Sequence, residues 1–229
     1  MDLRSYYRGQ LKGLTSNVVS MGKAVAQRIN STIYALREMD SDTAKDVFES
    51  DSEIDDMEQW IENSCIKIIS LQKPFASDLR VVSSILKIIT DIERIADQCA
   101  DICEMVMERM MSKTTLCVIS VVEMMERVES MFLRTCALIE NFDVEEAFAV
   151  CSFDDEIDAK FSDIILKVCE VISTQNFSRA ESEGSGLMKI RSEVNLIFIA
   201  KYVERIGDHC TNIAEWIIYA QTGEHKDLN

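Results

Sequence analysis

The sequence of 229 residues is poor in the residues that break a chain into short elements. It contains one proline and seven glycines, and no glycine occurs between Gly22 and Gly184. A fold of many short strands needs frequent turns, which are built mainly from glycine, proline and asparagine. This scarcity argues against a β-rich fold and favours long helices.

Other scarcities exclude classes of active site. Only two histidines occur, so the Glu-x-x-His pairs of a ferritin-like di-iron site are absent, as is a glycine-rich phosphate loop. We therefore do not expect an enzyme, and we expect His209 to make a local hydrogen bond. The eight cysteines form no CxxC pair and are expected to lie mostly in the core. Cys99 and Cys103, one helical turn apart, leave a soft metal site or a redox site as the alternative.

The charge is strongly acidic. Forty acidic residues against 24 basic ones give a formal net charge of −16, which repels nucleic-acid phosphates and anionic lipids and suits cations or a basic protein surface. The amino terminus has no secretory apolar run, and no apolar stretch approaches the roughly 20 residues of a membrane span. We expect a cytoplasmic protein that does not bind nucleic acid.

Apolar residues recur every three or four positions along most of the chain, as in helices with one buried face. The pattern predicts an all-α chain of six long helices. Their boundaries are expected at the acidic cluster 40–43, at Pro74, near 112–114, at the turn 141–146 and before Leu187.

An internal repeat is the strongest signal. The segment "DIERIADQC" at 91–99 recurs as "YVERIGDHC" at 202–210, and "DSEID" at 51–55 recurs as "DDEID" at 154–158. The repeat predicts a tandem of two antiparallel three-helix bundles, residues 1–113 and 114–229, with a longer loop at 176–183 in the second half. It leaves open whether the bundles touch side by side or end to end.

Carboxylates spaced four residues apart occur at equivalent places in both halves. Residues four apart lie on one face of a helix, so the second and third helices of each bundle can bring two pairs together around hard divalent or trivalent cations. The first carboxylate cluster comprises Asp51, Asp55, Glu93 and Asp97, and the second comprises Asp154, Asp158, Glu204 and Asp208. Asp101 and Asn212, one turn further on, are expected to extend them.

A salt-bridged surface is the alternative explanation. Arg94 and Arg205 each follow a carboxylate and can pair with acids of a neighbouring helix without any metal; Arg80 and Arg191 recur in the same way. Like charges four residues apart destabilise a helix by about 0.2–0.5 kcal/mol, and this sequence accepts that penalty four times. The residues alone leave both explanations open.

The segments "DLRVVSSILKIITDIERIADQCADI" and "NLIFIAKYVERIGDHCTNIAEWI", with "DSEID" and "DDEID", resemble the two repeats of the PhoU family of bacterial phosphate-signalling regulators. The likeness covers nearly the whole chain. It implies two three-helix bundles in tandem and a regulator rather than an enzyme. It also implies a multinuclear metal cluster of iron or zinc, with manganese or magnesium as alternatives, held by the eight paired carboxylates.

The resemblance implies partners as well. These are the ATPase subunit of the phosphate-specific ABC transporter and the sensor histidine kinase of the phosphate two-component system, with repression of the starvation response when phosphate is plentiful. We expect a homodimer that meets the membrane only through its partners. A metal-storage protein and a purely structural helical adaptor remain in competition with this hypothesis.

The first half departs from the family pattern. Ala96 and Gln98 stand where the second half has Gly207 and His209, and Asp101 replaces an asparagine. We expect the methyl group of Ala96 to hold a neighbouring helix or a metal layer further away, and the added charge of Asp101 to favour a more highly charged cluster.

Overall fold

The computed structural model describes residues 3–72, 74–111, 117–174, 183–224 and 228. Every regular element in these ranges is an α-helix, which confirms the all-α prediction. The helices are α1 (Leu3–Glu38), α2 (Ser41–Glu49), α3 (Asp51–Gln72), α4 (Ala76–Met107), α5 (Val118–Asn141), α6 (Val144–Thr174) and α7 (Glu183–Thr222).

The predicted second helix is interrupted at Ser50, which divides it into α2 and α3. The Ser50 hydroxyl donates to the carbonyl of Val47 at 3.1 Å. No glycine or proline marks this break, so the apolar period runs through it and the sequence pattern does not reveal it. The equivalent helix of the second half, α6, is continuous.

The same turn leads into the second helix of each half. Met39 and Phe142 have positive φ angles of 50° and 51°, which end α1 and α5. Asp40 and Asp143 then accept hydrogen bonds from backbone N–H groups in the first turn of the next helix, at 2.8–3.1 Å. These contacts satisfy donors that have no partner within the helix, so the cap predicted in the cluster 40–43 is confirmed.

The helices pack in two layers. α4 packs against both α3 and α7, and α7 also packs against α6, so these four helices form one continuous layer. α1 and α5 pack against each other and lie behind this layer, in contact with α4 and α7 respectively. The predicted pair of three-helix bundles is confirmed, and the bundles lie side by side.

Close packing joins the two bundles. An added Cβ at Gly22 of α1 would lie 2.8 Å from Sγ of Cys136 of α5, so only glycine allows this approach without a shift. Asn195 of α7 donates to the carbonyl of Met110 at 2.8 Å. Seven of the eight cysteines are buried, as expected for small core residues.

Two sequence predictions fall outside the described residues. The bundle boundary near Lys113 lies in the segment 112–116, and most of the loop 176–183 lies in the segment 175–182, so both stay predictions. No helix in the described ranges combines the length and the apolarity that a membrane span requires.

The cap at Asp143 gives a test of the helix start. Asp143→Ala should lower the free energy of unfolding by about 1 kcal/mol, because two backbone donors of α6 lose their acceptor. Urea denaturation followed by circular dichroism measures this change. The control, Asp163→Ala on the exposed middle of α6, should shift stability by less than about 0.5 kcal/mol, and an equal loss in both variants would contradict a cap-specific role.

Candidate metal centres

The second carboxylate cluster forms where α6 lies against α7. Burial raises the pKa of Asp154 to about 7, and the nearby charges of Asp208 and Asp158 add to the rise. Glu204 contributes in the same direction. The two helices therefore bring their acidic pairs within range of one another, as the repeat predicts.

Asp154 is the most enclosed member of this cluster. It is 7% exposed, and its Oδ1 atom is buried without a hydrogen bond of standard geometry among the described residues. The hydroxyl of Thr211 lies close enough to oppose the rise of the Asp154 pKa, but this hydroxyl is neutral and supplies no positive charge. Its approach to α7 depends on Gly207, where an added Cβ would lie 2.6 Å from that oxygen. A buried carboxylate oxygen without a donor or cation is costly, so this atom is the part of the cluster that most needs a positive partner.

Glu204 is also buried, whereas Asp208 is half-buried and Asp158 is exposed. Burial raises the pKa of Asp208, with the charge of Glu204 as the next cause. Glu204 forms an ion pair with Lys201, three residues earlier on the same helix. The Lys201 side chain is 49% exposed, so it can leave Glu204 for water at little cost.

The first carboxylate cluster forms in the same way between α3 and α4. Burial raises the pKa of Glu93 to about 7, and Asp97 is the next cause. The pKa of Asp97 is raised by burial and then by the charge of Asp51. Asp55 raises both pKa values further, so each predicted pair of this half also faces its partner pair.

Sequence reasoning missed Arg28, which reaches this first cluster from α1. The side chain is 5% exposed, its Nη1 atom pairs with Asp51, and its Nη2 atom donates to the Ser50 hydroxyl at 3.1 Å. The available signal was its position, three residues after Val25 and four before Thr32, on the buried stripe of α1. A charged residue on such a stripe requires a partner.

Part of the salt-bridge alternative is also present. Arg94 lies 3.6 Å from Glu93 and 3.4 Å from Asp97, with its side chain 54% exposed. Burial raises the pKa of Asp101, Arg205 opposes this rise, and Asp51 adds to it. Asp101 therefore lies beside the first cluster and also faces α7.

A polar contact joins α4 of the first bundle to α7 of the second. Nδ1 of His209 lies 2.9 Å from Oδ1 of Asp91, and Asn212 donates to the same oxygen at 3.2 Å. His209 thus makes the local hydrogen bond expected of it. Asn212, predicted to extend the second cluster, is bonded across to α4 in this structure.

Two of the predicted supporting arginines lie far from the carboxylates. Arg80 and Arg191 precede the clustered glutamates Glu93 and Glu204 by 13 residues, which is roughly 20 Å along an α-helix. Arg80 packs near Gly223, where an added Cβ would lie 3.5 Å from its Nε atom.

The clusters are grooves of neighbouring carboxylates rather than formed coordination spheres. Within the ranges that the structure describes, no three His, Cys, Asp or Glu side chains converge closely enough to hold a metal ion. Binding a metal therefore requires some of the acidic side chains to rotate about their χ angles. The ligand set stays a prediction.

The family model described as the PhoU domain matches residues 18–106 and 121–217 of the chain. The chain belongs to the PhoU family. Among PhoU relatives, the phosphate-specific transport system accessory protein PhoU homolog of Clostridium acetobutylicum is 30% identical over 227 residues, covering 99% of both chains. The phosphate-specific transport system accessory protein PhoU of Escherichia coli K12 is 29% identical over 218 residues, covering 95% of this chain and 86% of that protein.

Solved PhoU structures share the architecture. The crystal structure of PhoU from Pseudomonas aeruginosa matches with a TM-score of 0.84 at 27% identity, covering 95% of this chain and all of that one. The phosphate transport system regulatory protein PhoU from Streptococcus pneumoniae matches with a TM-score of 0.86 at 24% identity, which supports the fold. The resemblance drawn from the repeated motifs is thereby confirmed.

The raised pKa of Asp154 predicts a pH-dependent stability. An unfolded aspartate has a pKa of about 3.9, so between about pH 4 and pH 7 the folded protein keeps a proton that the unfolded chain has lost. The contribution of this group to stability therefore falls as the pH rises through that range. Asp154→Asn should stabilise chelator-treated protein by roughly 1–3 kcal/mol at pH 8, with little effect near pH 4.

Thermal or urea unfolding across that pH range measures the difference. Asp155→Asn is the matched control, since Asp155 is the exposed neighbour of Asp154. A gain for Asp154→Asn that is the same at pH 4 and pH 8 would contradict the assignment.

Proposed function

We propose that this chain is an accessory regulator of phosphate uptake that binds metal at its paired carboxylates. The relatives named as phosphate-specific transport system accessory proteins support the transport assignment, and they cover nearly the whole chain. These names describe an accessory role and not a catalysed reaction. Metal binding and the choice of partners go further than the names do and rest on the carboxylate clusters.

The buried, unpaired Oδ1 atom of Asp154 is the observation that carries the metal proposal. The charges with the largest effect on the pKa of this carboxyl are negative, those of Asp208 and Asp158. Crowding of this kind destabilises the ionised form, and a cation at the centre of the group removes the penalty. Gly207 keeps the space beside this oxygen clear.

The donor set fits hard and borderline cations. The second cluster would hold a metal through Asp154, Asp158, Glu204 and Asp208, and carboxylates can bridge two ions, as a multinuclear cluster requires. Iron or zinc suits these oxygens, with manganese and magnesium as alternatives. The corresponding acids of the first cluster are Asp51, Asp55, Glu93 and Asp97.

A bound cluster supplies positive charge to an acidic surface. Both clusters lie along the layer formed by α3, α4, α7 and α6, so metal would change the sign of the local field there. Such a surface suits carboxylates or phosphate groups of a partner. In this proposal the partners are the ATPase subunit of the phosphate ABC transporter and the phosphate sensor histidine kinase, met at the cytoplasmic side of the membrane, and the protein acts as a homodimer.

The structural-adaptor hypothesis has one observation in its favour. Lys201 already pairs with Glu204, and Arg94 with Glu93 and Asp97. The exposed side chains of both bases make these pairs weak, however, and neither reaches Asp154 in the described part of the chain. A metal-storage protein differs from both hypotheses in holding many ions per chain.

Metal content tests the binding proposal. Protein purified without chelator should carry a few ions of iron, zinc or manganese per chain, and the double variant Glu204→Gln with Asp208→Asn should lose about half of them. Elemental analysis and isothermal titration with Zn²⁺ or Mn²⁺ give the stoichiometry. The matched control is Asp163→Asn with Glu170→Gln, which removes two exposed charges from α6 and should retain all ions. Metal-free protein that binds no added cation would refute the metal proposal, and tens of ions per chain would favour storage.

Regulation is tested separately in cells. In a bacterium that lacks its own PhoU, this chain should restore repression of a phosphate-starvation promoter in phosphate-rich medium. The Glu204→Gln with Asp208→Asn variant should fail to do so at equal protein level. Without the metal of the second cluster, its docking surface stays negatively charged. Full repression by that variant would favour the structural adaptor, in which the acids are only a solvated surface.

A further inference from the structure

The two halves can be compared position by position on their first two helices. A shift of 103 positions, from 51 to 154, superposes Asp51 on Asp154. The same shift superposes the two positive-φ residues, the two cap aspartates, and Thr32 on Thr135, which are both fully buried. The turn before the second helix and the buried threonine of the first helix thus fix this register.

In this register Arg28 corresponds to Met131. Arg28 is 6% exposed and is held by Asp51 and Ser50, whereas Met131 is fully buried and apolar. The first half therefore contains a fixed cation in contact with its carboxylate cluster. The second half has a thioether at that position, and its aspartate keeps an oxygen without a partner among the described residues.

The third helices differ in a matching way. Gly207 lets Asp154 lie against the backbone of α7, because an added Cβ would approach its Oδ1 to 2.6 Å. The equivalent residue of α4 is Ala96, from a shift of 111 positions between 96 and 207, and it carries that Cβ. An aspartate in the first half therefore cannot take the same place without a shift, and Asp51 is instead paired with Arg28.

Burial distinguishes Arg28 from the other bases near the clusters. The side chains of Arg94 and Lys201 are 54% and 49% exposed, so an incoming cation can displace them into water. The Arg28 side chain is 5% exposed, so it cannot move into water in this way. Breaking its contact with Asp51 would leave a buried charge unpaired, which is strongly unfavourable.

We propose that the two carboxylate clusters are unequal, with Arg28 acting as a permanent internal cation of the first cluster, so that metal binds more tightly at the second. The inference rests on the metal binding proposed above. Arg28 keeps Asp51 out of the ligand set and repels an entering cation, which leaves Asp55, Glu93 and Asp97 as the free acids of the first cluster. The second cluster offers all four of its acids.

Titration of chelator-treated protein with Zn²⁺ or Mn²⁺ should resolve two classes of binding that differ by at least about tenfold in dissociation constant. Glu204→Gln with Asp208→Asn should abolish the tight class, and Glu93→Gln with Asp97→Asn the weak class. These two variants alone order the clusters, independently of any change at Arg28.

Arg28→Met should then bring the weak class to within a few-fold of the tight class, because it places the residue of the second half at the equivalent position. The matched control is Arg37→Met, which removes an arginine of the same helix whose side chain is 47% exposed, and it should leave both classes unchanged. Unfolding measured by circular dichroism verifies that each variant is folded.

The outcomes separate the two proposals. Equal affinities of the two clusters in the unaltered protein, or a weak class lost with the second-half variant, would overturn the inequality and leave metal binding intact. A folded Arg28→Met variant with an unchanged weak class would overturn the role of Arg28. Absence of metal binding in the unaltered protein would overturn the proposed metal binding itself, and this inference with it.

Discussion

The packing of α4 against α7 is the contact on which the rest of the molecule depends. Each of these helices carries a continuous apolar stripe, and each also supplies the glutamate and one aspartate of its own carboxylate cluster. Because both helices are central in the same layer, α3 and α6 lie on their outer sides. This apolar contact therefore fixes where the acidic pairs of both halves can meet, and the contact of His209 with Asp91 adds a polar link between the two helices.

The two carboxylate clusters lower the stability of the folded protein. Burial and neighbouring negative charge raise the pKa values of Glu93 and Asp154 to about 7. Such groups do not stabilise a fold, since an apolar or neutral side chain at the same position would avoid the cost of burying a charge. Structure that is locally unfavourable in this way is expected at sites of function, where a ligand supplies the missing interaction.

Much of the fold was readable from the sequence because it depends on local patterns. The spacing of apolar residues predicts the helices, and the repeat predicts the two bundles. Asp40 and Asp143 mark helix starts because each accepts a hydrogen bond from a backbone N–H group three residues later. The side-by-side arrangement was not readable, because it depends on contacts between residues far apart in the chain, such as Gly22 with Cys136 and Asp91 with His209.

The candidate site, too, is predictable from the sequence only where it depends on local spacing. The eight paired acids were predictable because their spacing puts each pair on one face of a helix. Arg28 was missed because its importance comes from contact with Asp51 on another helix, and a single arginine on an apolar stripe looks like an exception until its partner is known. The position of Asn212 one turn after Asp208 predicts a place in the second cluster, and only the tertiary structure reveals that its amide donates to Asp91.

The equivalent positions of Arg28 and Met131 in the two halves also bear on how such a molecule can evolve. In an assembly of two identical chains, every substitution appears on both sides of the symmetry axis, so the two sites must stay alike. Here the two copies are joined in one polypeptide, and Arg28 and Met131 are encoded separately. One half can then neutralise its own aspartate with an internal arginine, while the aspartate of the other half still needs a bound cation. A symmetric dimer of single bundles cannot acquire this asymmetry by substitution.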